Sequence, residues 1–329
     1  MSRTRLKDVV RQQKSSLKLS DLKKHGAFPV FGASGLVGYR DCFQSEKEAV
    51  AIIKDGAGIG RVSMLPKHSS VLGTMQMLEP KEGISNSYLF YFLSHLKLGK
   101  SFTGSTIPHI YFKNYSDFSF PDVSYNQQCQ VAEKLDAIRK SIEQKNNQLS
   151  DLDSLVKSRF MEMFGEKYET KPLNEVCEEL FAGGDVKKDK SSNVKSDKYP
   201  YPIYTNGEKD DGLYGYTSLM RVAKEAVTIS GRGTIGFTCL RKEPFYPAVR
   251  LIVAVPNQEL INGCYLQHFI ESKNYGGQGA SIPQLTVPMI KNELIPIPPI
   301  SVQNEFKQFV KLIDKSRFVV QKEIKDLQE

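Results

Sequence analysis

An internal repeat is the feature of this sequence that most constrains its fold. Three short motifs of the first half recur in the same order in the second half, about 175 residues later. Three matches at nearly one offset indicate two copies of one globular part, and 329 residues leave room for two domains of about 150. The motif pairs are FPVF and GLVGY at 28–31 and 35–39 with YPIY and GLYGY at 201–204 and 212–216, IKDGAGIG at 53–60 with ISGRGTIG at 229–236, and GSTIP at 104–108 with GASIP at 279–283.

Each copy continues into a proline-bearing segment and then into a long helical pattern. Because proline disfavours helix before it, the helices should begin after Pro121 and after the prolines of 296–299. Apolar residues then recur at alternating spacings of three and four, which is typical of a coiled coil. A helix packed on its own domain is the alternative for one such stripe, but two copies that end in the same way favour pairing of the helices. The stripe residues are Leu135, Ile138, Ile142, Leu149, Leu152 and Val156 in the first helix, and Phe306, Phe309, Ile313, Val320 and Leu327 in the second.

Short β-rich runs precede each helix, among them AVAII at 49–53 and AVTI at 226–229. The sequence therefore predicts an α+β fold with two tandem mixed α/β globular parts. Each part is followed by a long helix, and the two helices pair as an antiparallel coiled coil. The predicted boundaries are 1–124 for the first globular part, 125–164 for the first helix, 165–300 for the second globular part and 301–329 for the second helix.

The composition limits the kinds of partner and site. Lysine and arginine outnumber aspartate and glutamate by 45 to 37, which gives a net charge of +8 and favours a polyanionic partner. The 5 cysteines include no CxxC pair, so we expect neither a zinc site nor a disulfide framework, and a reducing cytoplasm fits best. No stretch approaches the roughly 18 apolar residues of a membrane span, so we expect neither secretion nor a membrane partner.

Motifs that would indicate an enzyme are weak. The glycine-dense motif at 53–60 superficially resembles a nucleotide-binding loop, but it lacks the GxGxxG spacing, and the chain has no GKS or GKT phosphate loop. The chain also lacks the Asn/Asp-Pro-Pro-aromatic tetrapeptide of amino-methyltransferases and the metal clusters of nucleases or deaminases. We therefore expect no cofactor, no metal and no catalytic residue. Neither a paired carboxylate nor a metal-ligand spacing accompanies the histidines His25, His68, His95 and His268, so no role is assigned to them.

Three motifs of the second copy are the most specific pieces of the sequence. They are SGRGTIG at 230–236, SIPQL at 281–285, and the proline pair at 298–299 that leads to Gln303 in the helix. The first copy is looser, with Asp55 and Gly56 opposite Gly231 and Arg232. Together with the repeat, these motifs resemble the specificity subunits of type I restriction-modification systems, and the resemblance covers nearly the whole chain.

The resemblance implies a sequence-specific DNA-binding subunit without catalytic activity of its own. In that family each globular half is a target recognition domain that reads one part of a bipartite, asymmetric DNA site. The paired helices set the spacing and dock two methyltransferase subunits, and restriction/translocase subunits join through the complex. The expected partners are therefore double-stranded DNA and these subunits. A non-catalytic scaffold and a stand-alone DNA-binding regulator, each built from two repeats, are the alternatives.

The candidate DNA contacts lie in the two glycine-dense motifs and the two Ile-Pro motifs. Glycines let the backbone approach DNA and present amide groups to phosphate, and an arginine can bind guanine or phosphate. A plain tight turn is an equally good interpretation of the glycines. Because His109 is matched by Gln284 in the other copy, we interpret it as a replaceable hydrogen-bonding group and not as a catalytic histidine. The candidate contacts are Lys54, Arg61, Thr106, His109, Ser230, Arg232, Thr234, Ser281 and Gln284.

Overall fold

The computed structural model describes residues 4–56, 58–100, 108–165, 168–275 and 284–329, apart from the side chain of Lys188. The chain divides into two compact units, Met1–Glu143 and Gln144–Glu329. Each unit contains a four-stranded antiparallel sheet, a second sheet of three strands in the first unit and four in the second, and a short helix. One long helix, α3 (Tyr125–Phe164), begins in the first unit and ends in the second.

The first unit is built around β4 (Ala49–Ile53), a strand that is buried along its whole length. Its other elements are α1 (Leu6–Val9), α2 (Asn86–His95), β1 (Val10–Gln13), β2 (Phe28–Gly32), β3 (Gly35–Arg40), β5 (Val62–Leu65), β6 (Ser70–Val71) and β7 (Met75–Pro80). The main sheet has the order β1-β7-β4-β5 and the smaller sheet the order β3-β2-β6. Because side chains alternate along β4, Val50 and Ile52 join one core cluster with α2, whereas Ala49 and Ala51 join a second cluster with the smaller sheet.

The second unit repeats this architecture. Its elements are α4 (Leu173–Val176), α5 (Gly263–Ser272), α6 (Val287–Ile290), α7 (Ile300–Gln328), β8 (Thr170–Pro172), β9 (Cys177–Ala182), β10 (Ser191–Ser192), β11 (Tyr201–Tyr204), β12 (Leu213–Thr217), β13 (Ala226–Ile229), β14 (Thr238–Arg241), β15 (Tyr246–Pro247), β16 (Ile252–Pro256) and β17 (Leu294–Pro296). The sheets have the orders β9-β16-β13-β14, β10-β12-β11-β15 and β17-β8. The first of these orders matches β1-β7-β4-β5, so the sequence repeat is also a repeat of topology.

Helix α7 pairs with the second-unit part of α3 in the antiparallel direction. Three ion pairs between the helices show this direction, because the partner on α7 has a lower residue number each time the partner on α3 has a higher one. These pairs are Lys145–Glu323 at 2.6 Å, Arg317–Asp153 at 2.7 Å and Arg159–Glu305 at 3.1 Å. The predicted α+β class, with a long helix after each globular part and antiparallel pairing of the helices, is confirmed.

The predicted stripes differ in how deeply their residues are buried. In the second unit Val156, Phe306, Ile313 and Val320 are buried, and Leu149, Leu152, Phe309 and Leu327 are half-buried. The stripe prediction missed Phe160 and Val310, which are buried in the same core cluster. In the first-unit part of α3, Leu135 and Ile142 are half-buried and Ile138 is 37% exposed. The apolar stripe of α3 is therefore buried most deeply where α7 lies beside it.

A buried glutamine joins α7 to the short helix α5. The side chain of Gln303 is inaccessible to solvent, and its Oε1 accepts a hydrogen bond from the amide of Asn262 at 2.9 Å. Its Nε2 donates to the carbonyl oxygens of Leu260 and Pro298 at 2.9 and 2.8 Å. The side chain of Asn262 caps α5 by accepting from the amide of Tyr265. One side-chain amide thus satisfies three backbone groups from the two segments that precede α5 and α7.

The first unit contains the same arrangement around Gln128, which is 2% exposed. Its Oε1 accepts from the amide of Ser85 at 2.9 Å, and its Nε2 donates to Gly83 and Val123 at 3.2 and 3.0 Å. The Gln303 motif in the sequence therefore has a structural counterpart in each copy.

Among the described residues, no helix is both long enough and apolar enough to cross a membrane.

Candidate functional site

The glycine-dense loop of the second unit follows β13 and is closed by backbone hydrogen bonds. The amide of Gly236 donates to the carbonyl of Ser230 at 2.9 Å, and the amide of Ser230 donates to the carbonyl of Phe237 at 2.8 Å. Between them Gly233 adopts φ of 68°, a left-handed conformation that glycine tolerates best. Arg232 and Thr234 at the tip of this turn are exposed.

Two side chains brace this loop from below. Ser230 is 2% exposed, and its hydroxyl accepts from the amide of Gly207 at 3.1 Å. The carbonyl oxygen of the Asn206 side chain accepts from the amides of Gly231 and Arg232 at 2.7 and 3.3 Å. The loop is therefore held in one shape by neighbouring segments.

The loop also contacts the segment that follows the second Ile-Pro motif. The amide of Leu285 donates to the carbonyl of Gly231 at 2.8 Å. A Cβ atom at Gly231 would lie 2.7 Å from the carbonyl oxygen of Leu285, so the close approach requires glycine. Beside this bond, Nε and Nη2 of Arg232 donate to Oε1 of Gln284 at 3.1 and 3.0 Å. Two of the predicted contact residues therefore lie together.

The loop of the first unit is closed in the same way. The amide of Gly60 donates to Ile53 at 2.8 Å, and the amide of Ile53 donates to Arg61 at 3.0 Å. The amide of Ile110 donates to the carbonyl of Lys54 at 2.9 Å. Arg61 is exposed, and its guanidinium lies against Gly58, where a Cβ atom would come within 2.3 Å of Nη2.

The side-chain contact beside this loop is made by a carboxylate and an imidazole, where the second unit has Arg232 and Gln284. Nδ1 of His109 lies 2.7 Å from Oδ1 of Asp55, with the two side chains 36% and 26% exposed. The ring of His109 stacks on that of Tyr111 at 6.2 Å between centroids. A cavity of about 220 Å³ opens beside this contact. Its polar lining includes Gln12, Lys14, Lys54, Gln76 and Tyr111.

These hydrogen bonds correct the alignment of the two copies. The backbone partners place Lys54 opposite Gly231 and therefore Asp55 opposite Arg232, with His109 opposite Gln284. The sequence alignment that set Gly56 opposite Arg232 was wrong by one residue. The physical reason is that the first loop has one residue more between Asp55 and the closing Gly60 than the second has between Arg232 and Gly236. An alignment of the glycines without a gap cannot show this extra residue.

The remaining predicted contacts are distributed around the two loops. Lys54 is half-buried and lines the polar cavity, whereas Thr234 is exposed at the loop tip. Thr106 and Ser281 lie outside the described residues. Sequence reasoning missed Asp55 and Asn206, because Asp55 was aligned with Gly231 and Asn206 lies in a different segment from the loop that it contacts.

A second histidine has an acidic partner that the sequence analysis did not recognise. Nδ1 of His268 lies 2.8 Å from Oε2 of Glu271 on α5. Thr238 and Gln267 donate to Oε1 of the same carboxylate at 2.6 and 3.0 Å. Although partial burial opposes ionisation, the hydrogen bonds with His268, Thr238 and Gln267 hold the pKa of Glu271 below its ordinary value of 4.5. The spacing of three along a helix was the available signal for the pair.

The family model of the type I restriction modification DNA specificity domain matches residues 2–151 and 165–328. The chain belongs to the type I restriction-modification specificity family. The two matches coincide with the two copies of the repeat, so each unit corresponds to one specificity domain.

Known members of the family are similar over different parts of the chain. A type I specificity subunit of Mycoplasma pneumoniae is 33% identical over 141 residues, which are 43% of this chain and 38% of that protein. A type I restriction enzyme specificity subunit of Haemophilus influenzae is 25% identical over 331 residues, which cover 94% of this chain and 84% of that protein. The match to the Mycoplasma protein thus spans well under two thirds of its length.

A solved structure supports the fold. The crystal structure of the type I restriction-modification system S subunit from M. genitalium superposes with a TM-score of 0.60 at 16% identity. The superposition covers 99% of this chain and 92% of that one. At this identity the likeness supports the architecture of two tandem domains and not the residues that contact DNA.

Proposed function

We propose that this specificity-family chain is the DNA-reading subunit of a type I restriction-modification complex, and that each unit reads one part of a bipartite, asymmetric site. One observation carries the proposal. Two copies of one scaffold present their loops in the same way, with Arg232 and Gln284 in one copy where the other has Asp55 and His109. Different hydrogen-bonding groups on equivalent loops suit two different base sequences.

We further propose roles for the parts of the chain. The target recognition domains are 1–124 and 165–300, and the spacer helices are 125–164 and 301–329. The helices set the distance between the half-sites and dock two methyltransferase subunits, through which restriction/translocase subunits join. Methyl transfer and cleavage belong to these partners, and this subunit contributes no catalytic residue.

The predicted contact residues that the structure describes divide into two groups in this proposal. The exposed or half-buried side chains of Lys54, Arg61, His109, Arg232, Thr234 and Gln284 are proposed to face DNA. Ser230 is buried and bonded to Gly207, so its proposed role is to hold the loop. The net charge of +8 supports the attraction of a polyanion.

Methylome sequencing tests the proposal directly. Cells that carry this gene and its neighbouring methyltransferase gene are compared with cells in which this gene alone is deleted. We expect methyladenine at one split, asymmetric motif to disappear on deletion. An unchanged methylome would contradict the proposal and favour a non-catalytic scaffold.

A further inference from the structure

The contacts Asp55–His109 and Arg232–Gln284 are two chemical versions of one structural feature. Each joins a residue of the glycine-dense loop after the central strand to the segment that follows the Ile-Pro motif. The backbone bond beside the contact is also the same, since Ile110 donates to Lys54 at 2.9 Å and Leu285 donates to Gly231 at 2.8 Å. The backbone frame is therefore kept while the functional groups differ.

Positions that serve only the fold behave differently in this chain. The buried glutamine at the start of each long helix is the same residue in both copies, with the same three kinds of backbone partner. The contact beside the glycine loops keeps its place but exchanges an acid and an imidazole for a guanidinium and an amide. The backbone hydrogen bond beside the contact is the same in both copies, so this bond does not depend on which of the two side-chain pairs is present.

The geometry of Arg232 is suited to a bidentate contact. Gln284 holds Nε and one proton of Nη2, and among the described residues Nη1 has no protein partner within hydrogen-bonding distance. The fork between Nη1 and Nη2 therefore remains available on an exposed loop tip. Such a fork matches O6 and N7 of guanine in the major groove.

The geometry of Asp55 is suited to accepting hydrogen bonds from a base, whereas Arg232 donates them. Its carboxylate is 26% exposed, and His109 fixes one of its oxygens at 2.7 Å. A carboxylate accepts hydrogen bonds from exocyclic amines, N4 of cytosine or N6 of adenine. Lys14 and Lys54 line the adjoining cavity and supply positive charge there, which suits contact with phosphate groups.

We infer that this contact is the base-discriminating position of each unit. Arg232, oriented by Gln284, selects guanine in one half-site. Asp55, oriented by His109, selects a base with an exocyclic amine in the other half-site. The inference rests on the proposed function and goes beyond it by naming which side chains select which chemistry.

Arg232→Lys tests the second unit in the complex with the methyltransferase, because lysine keeps the charge and loses the fork. Methylome sequencing should show guanine selection at one position of one half-site reduced roughly 10- to 100-fold, with the other half-site unchanged. The matched control is Arg221→Lys, an exposed arginine of the same unit that pairs with Glu179. An unchanged motif, or an equal loss of methylation at all sites, would overturn the inference.

Asp55→Asn makes the same test in the first unit. If one of the two variants fails to fold, the other still tests the inference. It should change the preferred base in the half-site that Arg232→Lys leaves intact. Asp41→Asn is the control, since Asp41 is an exposed acid of the same unit that pairs with Lys23. If both variants alter the same half-site, the inference is wrong. If deletion of the gene leaves the methylome unchanged, the proposed function itself has failed.

Discussion

At the scale of single residues, the two buried glutamines show how a side chain can connect helices to a domain. Gln303 satisfies an amide at the start of α5 and two carbonyl groups of separate segments. Unpaired backbone groups in a buried place cost about 1–3 kcal/mol each, so a single amide at this position stabilises several connections. This explains why the residue stands at the same place in both copies.

Gln303→Ala should lower the free energy of unfolding of the second unit by about 2–4 kcal/mol, because two buried backbone groups and one half-buried group lose their hydrogen-bond partner. Chemical denaturation with a probe in each unit measures the effect, since two units need not unfold together. Gln308→Ala, on an exposed position of the same helix, should change little. An equal effect of the two substitutions would show that the hydrogen bonds of Gln303 do not matter.

Glu271 gives the second unit a pH-dependent contribution to stability. A folded-state pKa below 4.5 means that the ionised carboxylate stabilises the fold above that pH, and that the contribution is lost as pH falls through the lower folded value. Glu271→Gln should therefore be less stable than the parent at pH 7, and the difference should narrow below pH 4.5. Unfolding measured across this range tests the sign, with exposed Glu259→Gln as control. A difference that is constant with pH would contradict it.

At the scale of elements, α7 is held to α3 mainly by an aromatic cluster. Phe306 lies 5.4 Å from both Phe160 and Phe164 between ring centroids and is fully buried. The interhelical ion pairs are partly exposed, and pairs of this kind each contribute about 0–1 kcal/mol. They therefore fix the direction and register of the pairing more than its strength.

Phe306→Ala should destabilise the second unit by about 3–5 kcal/mol, because a large buried ring is removed and leaves a cavity. Phe318→Ala is the matched control on the same helix, since Phe318 is 69% exposed. Its effect should stay within about 0.5 kcal/mol. Chemical denaturation of both variants measures the two losses of stability. Similar losses would exclude the aromatic cluster as the main contact between α7 and α3.

The repeat could be predicted because three short motifs recur in the same order, and the helices could be predicted because their apolar residues recur at regular spacings within short windows. The contact Asp55–His109 could not, because its partners are 54 residues apart and its counterpart in the other copy has different side chains. Phe160 was missed because an aromatic cluster with Phe306 depends on where two distant helices meet. Local patterns thus predict elements, whereas side-chain partners across a fold require the coordinates.

At the scale of the whole molecule, the chain consists of two copies of one topology linked through a helix that belongs to both units. The first-unit part of α3 ends at Glu143, and α7 pairs with α3 only through residues from Lys145 onward in the ion pairs described. A change in the length of α3 at the junction therefore leaves the internal contacts of each unit in place. In the proposed function, the spacing between half-sites depends on this helix.

Duplication of 137–143 tests that dependence. Seven added residues lengthen a helix by about 10 Å and nearly keep its phase, and 10 Å corresponds to about three base pairs of DNA. Methylome sequencing should find the same two half-sites separated by a spacer about three base pairs longer, at a lower extent of methylation because the duplex also rotates over that distance. The unchanged half-sites serve as the internal control for intact recognition domains. Methylation at the original spacing would mean that the length of α3 does not set the distance between the half-sites.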